Sequence, residues 1–187
     1  MPTYGILVMF NSNSYLNFVI PYEFKKLIVF LILLTTFIVP TIISFILLNR
    51  KVISSIEMEE PKERTLPYIF TIGFYFFTLY LLRDTPLPNV IFHFIIGATV
   101  AIITAFIINI KWKISAHMIG IGGMLGALLS VQLFLSINVS FYIILAFIIA
   151  GCLGSSRLYL KKHTPMQVYC GFILGLITQL LVIGLMH

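Results

Sequence analysis

Apolar residues in this chain come in long runs, not in alternation. Leu27–Leu48, Leu66–Leu82, Val90–Ile110, Ile114–Ile137, Val139–Ser155 and Thr164–Met186 each extend for 17 to 24 residues without an Asp, Glu, Lys or Arg. A helix crosses the hydrocarbon core of a bilayer with about 20 apolar residues. The pattern therefore predicts six transmembrane helices. The period-two alternation of a membrane barrel is missing. The expected fold is all-α: one polytopic membrane bundle over residues 1–187, with no room for a soluble domain. Met1–Phe10 is apolar from Ile6 to Phe10 but too short to span, and it lacks the basic start of a cleavable signal peptide. It fits an interfacial or re-entrant piece, or the end of a longer helix that would form part of a seventh. Pro40 lies inside the first span and predicts a kink there.

Composition sharpens this picture. Of 187 residues, 60% are hydrophobic and 10% are charged. A soluble domain carries about 25% charged residues, so this chain cannot cover a globule of its size with polar surface. The acids are Asp84, Glu23, Glu57, Glu59, Glu60 and Glu63, all outside the six runs. Proton-coupled transport usually relies on an intramembrane carboxylate, and a two-metal carboxylate site needs several acids together. Neither class fits this distribution. No nucleic-acid partner is expected. Cys152 and Cys170 fall inside runs and read as buried packing thiols.

The connections between the runs alternate between two faces. One face receives residues 49–65, 111–113 and 156–163 and holds nine of the twelve Lys and Arg residues. The other holds Lys25, Lys26 and Arg83. The positive-inside rule puts the basic face in the cytoplasm. The turns at Lys111-Trp112-Lys113 and at Asn138 are short, so Val90–Ser155 is expected to fold as an up-down-up unit of antiparallel neighbours.

Three polar groups sit at span ends on the basic face. These are Lys113-Ile114-Ser115-Ala116-His117, then Ser156-Arg157, then His163. Two imidazoles can supply a nucleophile and a proton, and fixed cations can hold a phosphate. Ser156-Arg157, five residues, then His163 resembles the third signature of the type 2 phosphatidic acid phosphatase superfamily, SR-x5-H-x3-D, up to its last position. Ser115-Ala116-His117 resembles that family's Pro-Ser-Gly-His signature. The resemblance covers about residues 114–175. It implies a metal-independent lipid phosphate phosphatase. His163 would attack phosphorus to form a phosphohistidine, and His117 would protonate the leaving group. Arg157, Ser115, Ser156, Lys113 and Lys111 would hold the phosphate. The partner would be a membrane lipid phosphate, with no cofactor. The chain departs from the family at Gln167, where the pattern has Asp, and it lacks the Lys-x6-Arg-Pro signature. The departures keep an alternative open: a non-catalytic member of the fold that binds an anionic lipid or joins a membrane assembly.

The same residues have structural readings. Thr164-Pro165-Met166-Gln167 spells a capping box with Pro at the first helical position. Gln167 therefore either caps this helix, supports His163, or does both. Lys161 and Lys162 read as interfacial cations, with Arg64 or Lys62 able to fold over the site from the charged run Glu57–Arg64. His93 and His187 match no motif. Gly122 and Gly126, and Gly171 and Gly175, form small-x3-small pairs of the kind that bring membrane helices together. Ser115 and Gln167 crown those two stripes.

Overall fold

A computed structural model describes residues 2–12, 20–58 and 60–185. Glu59, His187, Met1 and Met186, named above, lie outside these residues. The described residues form helices and no strand. Helix α1 (Pro2–Ser12) is followed by α2 (Tyr22–Asn49), α3 (Thr65–Leu82, led in by a 3₁₀ turn at Pro61–Arg64) and α4 (Asn89–Asn109). Then come α5 (Ala116–Leu135), α6 (Ser140–Tyr159) and α7 (Pro165–Leu185). Helices α2 to α7 are each long and apolar enough to cross a membrane, so the chain is an integral, multi-pass membrane protein.

Local chemistry sets the boundaries. Helix α2 continues past Pro40 because its ladder widens to a π-helical turn over Leu34–Ile38, just ahead of the proline. Such a turn takes up the clash and the missing N–H that proline brings. Ser115 is extended and Ser136 is left-handed (φ 54°), which trims α5 at both ends relative to the apolar run. Helix α6 runs four residues past its apolar run, so Arg157 lies in its last turn, where a cation complements the helix dipole.

The tightest packing joins α5 to α7, which are not sequence neighbours. A Cβ added at Gly122 would overlap the Phe172 carbonyl, and one at Gly175 would overlap the Ile119 carbonyl. Apolar helices gain little from burial against each other in lipid. Close backbone approach supplies the van der Waals contact instead. The glycine stripes read from the sequence are this seam.

Helix α6 is peripheral. Phe141, Ile144, Ile148 and Tyr159 are exposed along its outer side. Cys152 is exposed there too and is not the buried packing thiol expected, whereas Cys170 is half-buried and packs against the cluster of Tyr68, Ala105 and Ile119. Helix α1 belongs to the bundle: Ile6, Met9 and Phe10 are buried, and the helix packs against α2, α4 and α5.

The three basic-side connections are tied together. Asn109 Nδ2 donates to the Pro61 carbonyl at 2.8 Å, Arg64 Nη1 donates to the Ile114 carbonyl at 3.2 Å, and the Ser115 amide donates to the Gln167 carbonyl at 3.4 Å. The alternation of faces inferred from span order is thus the observed arrangement.

Candidate functional site

These connections enclose a cavity of about 460 Å³. His117, His163, Arg157 and Lys113 line it, along with Arg64 and Lys162. His117 comes from the first turn of α5, Arg157 from the last turn of α6, and His163 from the residue before the α7 cap. Residues 46 positions apart in the chain therefore share one polar pocket.

The His163 ring is held in a defined way. Its Nδ1 lies 3.1 Å from Gln167 Oε1, and the Thr164 amide donates to that same oxygen at 3.1 Å. The Gln167 amide donates back to Thr164 Oγ1 at 3.4 Å, completing the capping box. A backbone N–H can only donate, so the amide end facing this pair is the oxygen. Nδ1 must then carry the proton, and in the neutral ring Nε2 keeps its lone pair. Gln167 both caps α7 and orients His163. Burial is the main influence on the imidazole and holds its pKa below the usual histidine value. The hydrogen bond to Gln167 pulls upward, the charges of Arg64 and Lys113 push down, and a hydrogen bond to the Lys113 backbone pulls upward again.

The rest of the cavity suits an anion. The Nε–H of Arg157 is buried with no hydrogen-bond partner, which costs about 1–3 kcal/mol unless a ligand accepts from it. Helix α5 starts without a side-chain cap, and Ala116 and His117 of its first turn line the cavity at the positive end of the helix.

Other candidates stand elsewhere. Ser115 is fully buried behind this helix start. Its hydroxyl has no partner, and its amide is already spent on Gln167. Ser156 and Lys111 do not line the cavity.

Two residues join the wall that the sequence motif did not include. Arg64 enters from the loop ahead of α3 and donates to the carbonyls of Met58 and Glu57 as well as Ile114. It is a fixed cation and the strap that holds the loop down. Glu57 brings a carboxylate into a cluster that the motif residues alone leave free of acids, and it forms an ion pair with Lys162. Among the described residues no three His, Cys, Asp or Glu side chains gather as a metal site. Comparison with protein families, curated proteins and solved structures finds no match for this chain.

Proposed function

We propose that the chain is a metal-independent phosphatase acting on a membrane lipid phosphate through a phosphohistidine. The observation that carries this reading is the shared cavity. It combines an imidazole oriented through Nδ1 by Gln167, a second imidazole, and an arginine N–H that lacks an acceptor. Nε2 of His163 attacks phosphorus, and the ester P–O bond breaks. Protonated His117 gives its proton to the leaving oxygen. Water then attacks the phosphohistidine with neutral His117 as base, which releases phosphate and restores both rings. Arg157, Lys113 and the α5 amides stabilise the charge that develops on the non-bridging oxygens. A site with four cations and one already paired carboxylate repels a metal ion, so the chemistry is assigned to the imidazoles. The nine-to-three split of basic residues puts this site on the cytoplasmic side. Labelling of a cysteine at position 112 from outside intact cells overturns that orientation.

The test is phosphate release from lipid phosphates by the full chain in nanodiscs. His163→Ala should abolish it, and chelators should leave it unchanged. Gln167→Asp should raise it roughly tenfold or more, because an anion there stabilises the imidazolium. In serine proteases, removing the equivalent charge costs about 10⁴. A folded protein with no turnover, and none gained with Gln167→Asp, sinks the enzyme. Gln167 itself favours the second reading, a binder of anionic lipid, since an amide orients His163 but supplies no charge. Lipid binding that is retained without turnover and lost in Arg157→Ala selects that reading.

A further inference from the structure

A second cavity, of about 150 Å³, lies deeper in the bundle. It shares Tyr68, Ile102 and Ala116 with the basic cavity, so the two adjoin. Beyond that junction the wall is mainly apolar: Ala98, Ala101, Ala105, Ile119, Gly123 and Met124. The lining covers Ala116 to Met124 on α5 and Phe94 to Ala105 on α4. At 1.5 Å per residue these eight and eleven steps run about 12 and 16 Å along the helix axes. Gln179 closes the deep end with its Nε2 donating to the Phe94 carbonyl at 3.0 Å. At the junction, the buried Tyr68 hydroxyl has no hydrogen-bond partner.

We infer that this chamber binds one apolar chain of the lipid whose phosphate occupies the basic cavity. The inference rests on the phosphate reading above and adds where the chain goes. The adjacency of the two cavities commits the occupant. A molecule with a phosphate among the cations and an apolar tail directly behind it matches both walls. Tyr68 stands where head and tail join, with a hydroxyl available to the linking oxygen. The volume admits roughly the first six carbons of one slender chain, since an apolar cavity of about this size holds a single benzene-sized guest, and a longer chain continues past it. Two chains side by side do not fit. The preferred ligand is thus a single-chain phosphate monoester, and a two-chain lipid must leave at least one chain in the bilayer.

Two single-cysteine proteins in a Cys152→Ala, Cys170→Ala background test this in nanodiscs. Ala98→Cys reports on the chamber and Thr71→Cys on the basic cavity, which Thr71 lines. Both are labelled with a small neutral thiol reagent. Dodecyl phosphate should slow labelling at both positions by at least tenfold. Butyl phosphate and inorganic phosphate should protect Thr71→Cys but leave Ala98→Cys unchanged. Protection at Thr71→Cys without protection at Ala98→Cys overturns the chain site and leaves the phosphate site standing. Dodecyl phosphate protecting Ala98→Cys alone supports the chain site and breaks the phosphate reading. Protection at neither position removes both. As an independent measure, Ala98→Phe should weaken dodecyl phosphate at least tenfold at Thr71→Cys and leave butyl phosphate unaffected. Equal weakening of both probes overturns the chain site.

Discussion

Helices α5 and α7 start side by side on the basic side of the bundle, joined by the hydrogen bond from the Ser115 amide to the Gln167 carbonyl. Their first turns are finished in opposite ways. The start of α7 is closed: Thr164 and Gln167 satisfy each other, and Gln167 also holds His163. The start of α5 is open. Ser115 is the kind of residue that caps helices, yet its hydroxyl makes no bond, and Ala116 and His117 of the first turn line the cavity. A protein that needed only stable helices gains by capping both. One helix start closes around a histidine and its neighbour stays open beside four cations, and on the proposed function that divides the work: α7 positions a ring, and α5 offers donors to an anion. The sharpest ways to test that division act on the seam, then on the caps, then on the charge around the ring.

The seam fixes the spacing of the two starts, so breaking it should have the largest effect. Gly122→Val forces a side chain into the Phe172 backbone. The expected loss is about 3 kcal/mol, the upper end of core overpacking, seen as a lower melting temperature in detergent. Gly151→Ala on α6 is the control. Nothing lies within 4 Å of its added Cβ, so helix propensity alone should act, stabilising by up to about 1 kcal/mol. Equal losses in the two variants contradict the assignment of the seam.

The caps separate at a smaller scale. Thr164→Ala should cost about 1 kcal/mol, as loss of a working N-cap does. Ser115→Ala should change stability by less than about 0.5 kcal/mol, because it deletes a hydroxyl with no partner. Chemical unfolding of both variants under one condition measures the difference. A large cost at Ser115 shows that its hydroxyl has a partner and that the α5 start is not open.

The closed start was legible in the sequence and the open one was not. Thr164-Pro165-Met166-Gln167 is local, and the bonds that make it a cap lie within four residues. The six spans and the glycine seam were legible for the same reason, since hydropathy and i, i+4 spacing are properties of short windows. Arg64 escaped the motif because its contact with the Ile114 carbonyl joins residues 50 apart through an irregular loop. The side on which Cys152 sits escaped because α6 is apolar all round, and a helix without a polar face does not say which side meets lipid. Ser115 looked like a cavity residue because its neighbours in sequence line the cavity. A rotation of one residue at the helix start puts Ala116 and His117 on the cavity and Ser115 behind them.

The smallest expected effect is also the most specific to the division between the two starts. The His163 pKa is held below the usual value mainly by burial, with Arg64 and Lys113 adding repulsion and the Gln167 bond opposing them. The folded protein thus binds this proton less readily than the unfolded chain. The neutral ring's stabilising contribution is full above the unfolded pKa and is lost as pH falls through the folded one. Lys113→Met removes a repelling charge, so the pKa should rise and the acid limb of the phosphatase pH profile should move to higher pH. Gln167→Ala removes the bond that favours the charged ring, so the pKa should fall further. NMR titration of ¹³C-histidine-labelled protein, with the His163 signal assigned from His163→Gln, reads both shifts without requiring turnover. Opposite shifts in the two variants confirm that one helix start holds the ring while the cavity's cations keep it neutral. Shifts of the same sign mean that Gln167 serves α7 alone and that His163 is positioned by something else.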